Sequence, residues 1–328
     1  MIATACSQRP ASPRTKSLLS PADFQLVQEG FRAGLSAQPA LERHLRGVIH
    51  DTLSHPGSLA RAQLAFSLLK ALGFDAAIAR DVGVAIEYYH TASLLFDDLP
   101  CMDNASTRRG HACPHTIHGE SAAILGALSL ITKAYALLWP ALNHLPAERR
   151  TATSALVEEC LGLHGILNGQ AYDLHYGESG KTEQDVLRIA HGKTVTLIRL
   201  TLLLPALMRG ADTTSLKLLE QLAEHWGLAY QILDDFKDGL LNEAESGKTV
   251  DRDALLNRPN LPKAMGAPAA LNALDRHLGQ ARAAIERLQR RLPRMAALDR
   301  LQWMMEQDRD EVMVRLQAVP RATTPAPA

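Results

Sequence analysis

Two short acidic runs carry the chemistry of this sequence. Phe96-Asp97-Asp98-Leu99-Pro100-Cys101-Met102-Asp103 closes one apolar segment, and Ile232-Leu233-Asp234-Asp235-Phe236-Lys237-Asp238 closes another. Carboxylates crowded at the end of a hydrophobic helix repel one another and oppose the helix dipole, so they call for a cation. Asp234 and Asp238 stand at i and i+4, on one helix face a turn apart. Asp97 and Asp103 could not share a face of an ideal helix, so Pro100 must break the helix and let Asp103 fold back. Hard oxygen donors of this kind suit Mg²⁺, which keeps several waters and takes one or two carboxylates plus substrate phosphates. One acidic cluster is ordinarily a solvated helix cap. Two, each opening with Asp-Asp after a long apolar run, are harder to dismiss. Arg108-Arg109-Gly110 follows the first run. Its two planar donors match diphosphate oxygens bidentately. Carboxylates for metal and arginines for phosphate, this close together, point to metal-bridged diphosphate chemistry.

The elements that position these residues read as helices. Of 328 residues, 46% are hydrophobic and 5% aromatic, with Leu and Ala prominent, which favours helix-on-helix packing over sheets. Basic and acidic residues number 35 each, so no global field favours nucleic acid or an anionic membrane. Cys6, Cys101, Cys113 and Cys160 show no paired spacing and read as reduced thiols of a cytoplasmic protein. No run reaches the roughly 18 apolar residues of a transmembrane span. Strand-like alternation with hairpin turns is absent. Prolines punctuate the apolar periodicity, and helices are expected near 21–34, 38–53, 58–72, 76–99, 119–138, 147–173, 183–191, 194–209, 213–241 and 266–317, the last broken at Pro293. Ser20-Pro21-Ala22-Asp23 and Thr182-Glu183-Gln184-Asp185 give two of these helices capped starts. Residues 21–318 read as one all-helical domain. Residues 1–20 and the proline-rich 319–328 are too polar to pack and are expected to be disordered.

The first acidic run with its preceding His90-Thr91-Ala92-Ser93-Leu94-Leu95 and following Arg108-Arg109-Gly110 resembles the first aspartate-rich motif of trans-polyprenyl diphosphate synthases. It is most similar to bacterial carotenoid-type geranylgeranyl diphosphate synthases, which also place four residues between the paired and the third aspartate. The resemblance continues through Gly169-Gln170-Ala171-Tyr172-Asp173-Leu174, Gly192-Lys193-Thr194, Gly227-Leu228-Ala229-Tyr230-Gln231-Ile232-Leu233-Asp234-Asp235 and Gly247-Lys248. It covers roughly residues 40–265 in order. It implies an all-α isoprenoid synthase fold, about ten antiparallel helices around a deep cavity, usually in a homodimer.

The resemblance also implies a reaction, in which an allylic diphosphate is ionised with three Mg²⁺ ions and the cation is attacked by isopentenyl diphosphate. By this likeness Asp97, Asp103 and Asp234 are principal metal ligands, assisted by Asp98, Asp235 and Asp238. Arg108, Lys193 and Lys248 hold the allylic diphosphate, and Thr194 and Gln231 flank the developing carbocation. Arg61, His90 and Arg109 map onto the isopentenyl diphosphate pocket. The histidines and cysteine at His111, Cys113, His115 and His118 fit no usual zinc spacing.

Some residues depart from the family pattern. Pro56-Gly57-Ser58-Leu59-Ala60-Arg61-Ala62 stands where members carry a Gly-Gly-Lys-Arg-x-Arg-Pro-like segment, so Ser58 and Leu59 replace two cations and Arg61 survives. One charged contact to a diphosphate is worth about 1.5–3 kcal/mol, which weakens the acceptor pocket. Asn104 and Lys237 also stand inside the acidic motifs. The thinned pocket motivates a second reading, a class I terpene cyclase that ionises an allylic diphosphate alone. A non-catalytic partner subunit is a third, disfavoured by the intact acidic runs. Chain length is expected to be set by Ala92, Ser93 and Tyr89. Ala92 lies about 7.5 Å and Tyr89 about 12 Å before Asp97 along the helix. A small Ala92 lets a fifteen-carbon tail pass and extend once more, with Tyr89 a candidate floor.

Overall fold

The computed structural model describes residues 17–35, 40–240, 259–292 and 295–318. Its helices are α1 (Pro21–Ala33), α2 (Arg43–Ser54), α3 (Ala60–Ala71), α4 (Ala76–Asp97), α5 (Pro114–His118), α6 (Glu120–Asn143), α7 (Ala147–Leu161), α8 (Ile166–Leu174), α9 (Glu183–Ala190), α10 (Thr196–Arg209), α11 (Thr213–Leu240), α12 (Leu261–Met265), α13 (Ala267–Gln289) and α14 (Ala296–Ala318). The expected all-α class is what the chain adopts. One hydrophobic cluster runs from Val27 on α1 to Val312 on α14.

The two helices that end in aspartates are central because their sequences allow little exposure. Along α4, Val82, Val84, Ala85, Ile86 and Tyr88 are all buried, and α3 and α6 cover opposite sides. A helix apolar on every side has no stable place at the surface. α11 packs between α10 and α13, and its Trp226 donates from Nε1 to Gln302 Oε1 of α14 at 2.7 Å. Gln302 Nε2 in turn donates to Leu278 O of α13 at 3.0 Å. This buried amide is satisfied on both sides, so it ties three helices together without an unpaired polar group. The expected caps form. Ser20 Oγ accepts from Asp23 N, and Thr182 and Asp185 bond reciprocally as a capping box. Residues 17–20 are anchored rather than loose, since Ser17 Oγ and Leu18 N both donate to Gln63 Oε1 at 2.8 Å.

Four expected boundaries differ from the structure. Residues 147–173 form two helices, because the backbone is extended at Gly162 and then turns, with Gly165 N donating to Gly162 O. A Cβ at Gly165 would meet the Cys160 carbonyl at 2.1 Å. α6 runs through Pro140 to Asn143 instead of stopping near 138. Proline there removes only one hydrogen bond close to the helix end, a loss the packed remainder tolerates. The helix expected from 194 is preceded by a π-helical turn, His191–Val195. Finally, the sequence gives no strand pattern, yet Thr107–Arg108 (β1) pairs antiparallel with His111–Ala112 (β2). The turn residues Arg109 and Gly110 have φ of 54° and 77°. Positive φ at both central positions is what a tight two-residue hairpin requires. The expected break in the last helix falls between Gln289 and Ala296, while Pro293 lies outside the described residues.

α6 is, among the described residues, the one helix long and apolar enough to cross a membrane by length and composition. It packs one face on α4 and exposes Leu125, Leu128, Tyr135 and Trp139 on another.

Candidate active site

A cavity of 590 Å³ opens where α4, α8, the π-helical turn and α11 converge. Its wall contains Asp97, Asp103, Asp234, Asp235, Asp238, Lys193, Thr194, Gln231, Arg61, His90, Arg108, Arg109 and Ser93. Residues up to 177 positions apart in sequence thus meet, as their motifs anticipate. Lys248 falls outside the described residues.

The fold-back after α4 is built from the backbone. Asp103 N donates to Asp97 O, and Asn104 N to Leu99 O, both at 2.9 Å. Pro100 has no N–H to continue the helix, and the freed carbonyls are taken by this loop instead. The two aspartates therefore stand on one side of the cavity. The one-turn spacing on α11 brings Asp234 and Asp238 to the same cavity. Burial pushes the Asp97 carboxyl up to about 6, with Asp103 adding repulsion and Lys193 opposing. Among the described residues, no three carboxylate, imidazole or thiolate groups are gathered closely enough to hold an ion unaided. Hard carboxylate oxygens from two helix ends lining one cavity suit an ion which keeps waters and takes phosphate oxygens.

The paired aspartates of each run do different things. Asp98 is buried and absent from the cavity wall, and its Oδ1 accepts from Arg108 Nε and Nη2, both at 2.7 Å. It was expected to assist at a metal. Instead it aims the guanidinium that the β1–β2 hairpin brings back over α4. Asp235 is also buried: Oδ1 accepts from Gln231 Nε2 at 2.8 Å and Oδ2 from Leu261 N at 2.7 Å. Its carboxylate seats the segment entering α12. Lys237, the departure inside the second run, pairs with Asp308 of α14 at 2.7 Å and does not line the cavity.

Lys193 reaches the cavity because the backbone comes close to α8. A Cβ at Gly169 would lie 2.3 Å from the Gly192 carbonyl carbon, so both positions need glycine. Lys193 Nζ donates to Asp173 Oδ2 at 2.7 Å and stands 3.9 Å from Asp97 Oδ2. Burial opposes its charge, but Asp97, Asp173 and Asp103 outweigh it and raise the ammonium above its usual range. Asp173 lies in the Gly169–Leu174 motif, yet its type alone gave no sign of this role. Beside Lys193, Thr194 Oγ1 donates to Gln231 Oε1 at 2.6 Å.

A second cationic region lies further in. Arg61, His90 and Arg109 share the wall, and Arg61 Nε is buried without a hydrogen-bond partner. Burial, then Arg61, Arg109 and Arg108, hold His90 well below the ordinary imidazole range. An orphaned guanidinium nitrogen beside two further donors is the complement of an anion. Glu87 backs this region, accepting from Ala62 N at 2.9 Å. An acid three residues before His90 in an apolar helix was the signal for it. Ser58 is exposed, and Leu59 is fully buried with φ 52°, turned into the core. Ala92 and Tyr89 are buried and lie off the cavity wall, with the Tyr89 ring edge-on to Tyr135 of α6 at 5.4 Å. Of the histidines near 111–118, His111 stacks on His55 at 3.8 Å and His118 bonds Asp51 at 2.7 Å.

A cavity between helices, lined by two aspartate clusters and by several cations, defines a diphosphate-handling enzyme class, and comparison with known proteins agrees. A profile of the polyprenyl synthetase family matches residues 42–294, and the chain belongs to that family of prenyltransferases. It is 31% identical over 274 residues to a geranylgeranyl diphosphate synthase of Pseudescherichia vulneris, covering 77% of this chain and 87% of that one. It is 33% identical over 235 residues to a farnesyl diphosphate synthase of Geobacillus stearothermophilus, covering 71% and 79%. The fold matches a geranyltranstransferase of Thermotoga maritima with a TM-score of 0.71 at 27% identity, covering 87% of this chain and 98% of that one. It also matches a Helicobacter pylori geranyltransferase, complexed with magnesium and isoprenyl diphosphate, with a TM-score of 0.73 at 23% identity over 92% and 99% of the chains.

The Asp98–Arg108 pair makes a direct prediction. Asp98→Asn removes a buried charge partner and should lower unfolding stability by about 1.5–3 kcal/mol, read as a reduced urea midpoint. An unchanged midpoint would show that the pair contributes nothing to holding the hairpin.

Proposed function

We propose that this protein condenses isopentenyl diphosphate with farnesyl diphosphate, or with shorter allylic primers, to make geranylgeranyl diphosphate with Mg²⁺. The observation that carries this reading is the pairing of two anion-binding regions in one cavity. Lys193 stands 3.9 Å from Asp97, while Arg61, His90 and Arg109 line the same cavity and Arg108 acts on both Asp97 and His90. A cyclase acting on one diphosphate needs only the first, so the unpartnered Arg61 Nε favours the two-substrate reaction over that alternative.

Asp97, Asp103, Asp234 and Asp238 would hold Mg²⁺, with Asp98 and Asp235 fixing the groups around them. Bound Mg²⁺ supplies positive charge against the diphosphate oxygens as the allylic C–O bond breaks. Lys193 and Arg108, with Lys248, would bind and orient that diphosphate, adding donors where negative charge grows. The C–O pair leaves with the diphosphate, and the isopentenyl alkene supplies the pair for the new carbon–carbon bond. The proton then lost from the adjacent carbon goes to the departing diphosphate. Thr194 and Gln231 would face the cationic carbon with their oxygen dipoles. Phe96, Ile166, Leu167 and Ile189 give the cavity an apolar wall that keeps water from the cation. The tail would grow past Ser93 into the seam between α4 and α6 that Ala92 and Tyr89 occupy.

A homodimer completes the reading. α6 exposes Leu125, Leu128 and Trp139 at 53%, 48% and 63%, and Leu163 and Leu167 near α8 are exposed as well. A second copy covering these residues removes a continuous apolar face from water.

Purified protein incubated with Mg²⁺ and farnesyl diphosphate should form geranylgeranyl diphosphate only when isopentenyl diphosphate is added, by mass spectrometry. A hydrocarbon or alcohol from farnesyl diphosphate alone would sink the synthase reading. Asp234→Ala should lower the rate roughly 10²–10³-fold. Ala92→Tyr should shift product from geranylgeranyl toward farnesyl diphosphate when geranyl diphosphate is the primer. Unchanged product length would put the tail along another wall. Sedimentation should give a dimer for the unsubstituted protein and a monomer for Leu128→Glu, whereas a monomeric unsubstituted protein would overturn the interface.

A further inference from the structure

Away from the reaction cavity, His225 on α11 and His277 on α13 turn the same nitrogen toward each other. Their Nδ1 atoms are 3.1 Å apart, with ring centroids at 5.3 Å and planes tilted by 49°. A second cavity of 230 Å³ adjoins them, its wall holding His277, His191, Glu183, Glu224 and Arg276. His191 opens the π-helical turn that carries Lys193.

Two imidazoles this close cannot both be charged without strong repulsion. Burial lowers His225, and burial with His225 and Arg276 pushes His277 down to about 4, so both are neutral at pH 7. Neutral imidazole is the form that offers a lone pair to a metal. Two nitrogen ligands at 2.0–2.1 Å from a tetrahedral ion stand about 3.3 Å apart. The observed separation differs from this by only a few tenths of an ångström, so little movement of α11 against α13 is needed. Nitrogen donors select borderline ions over Mg²⁺, which prefers oxygen. Glu224 and Arg276 act on His225 in opposite senses, so the rim carries charge of both signs.

We propose that His225 and His277 form a binding site for a divalent transition-metal ion of the zinc, cobalt or nickel kind, held through both Nδ1 atoms. The adjoining cavity supplies room for water at the remaining positions. The ion clips α13 to α11 about 13 Å from Asp234 along the helix, and so braces the helix that presents Gln231, Asp234 and Asp238. It is chemically distinct from the oxygen-lined cavity, so the two sites take different ions.

The test uses chelator-treated protein in excess Mg²⁺, so that the aspartates meet their own ion. Zn²⁺ at a hundredfold excess over its Kd should raise Tm by about 3–5 °C, and Co²⁺ should give the visible absorption of a nitrogen-ligated tetrahedral ion. His225→Gln and His277→Gln, each measured against its own metal-free Tm, should lose both responses. No response in the unsubstituted protein, or an equal response in both variants, overturns the site. Should a variant not fold, histidine NMR of the unsubstituted protein decides. One equivalent of Zn²⁺ must shift two imidazoles together, and unmoved imidazoles overturn the proposal.

Discussion

The structure is organised around the mutual repulsion of carboxylates held at the ends of two buried helices. Asp97 closes α4, and Asp234, Asp235 and Asp238 lie near the end of α11, where the helix dipole is also unfavourable. Burial alone raises Asp97, and Asp103 makes it worse. Such a cluster persists only if the surroundings over-determine it. The means are visible: Arg108 holds Asp98, Lys193 spans Asp173 and Asp97, and Asp235 is tied into the backbone at Leu261. The large apolar contacts of α4 and α11 supply the stability against which this local cost is set.

Within each acidic pair, the work is divided by depth. The first aspartates, Asp97 and Asp234, line the cavity, while Asp98 is turned into protein and Asp235, although on the wall, has both oxygens bonded to protein. The same division appears among the cations, for Lys237 is spent on Asp308 while Lys193 faces the cavity. Charged residues in one motif therefore carry unlike energetic roles. A carboxylate whose oxygens are bonded to protein holds shape, and one on the cavity wall beside a cation can meet a ligand.

Much of this was legible before any coordinates. Proline at 100 fixed the fold-back of Asp103, and the i, i+4 spacing of Asp234 and Asp238 fixed their shared face. Both are statements about a few neighbouring residues, which is why sequence could make them. The break between α7 and α8 was not legible. A glycine inside a helical pattern costs only about 1 kcal/mol, and the break lies at Gly162 and Gly165, where a Cβ would meet backbone carbonyls. The hairpin was missed because two-residue strands are too short to alternate. The roles of Asp98 and Asp173 depend on where Arg108 and Lys193 arrive from distant elements, and adjacent identical aspartates carry no mark of that. Leu59 is the reverse case: its replacement of a cation was legible, but its burial in a left-handed conformation was not.

The hydrogen-bond chain from Thr194 through Gln231 and Asp235 to Leu261 N has one further property, a direction. The threonine hydroxyl must give, the glutamine oxygen must receive, its nitrogen must give, and the carboxylate receives from both sides. Rotating the Gln231 amide by half a turn would set oxygen against carboxylate and nitrogen against hydroxyl hydrogen. The backbone at the start of α12 therefore dictates, through three side chains, which end of a dipole looks into the cavity. Orientation is stored at the periphery and read at the centre.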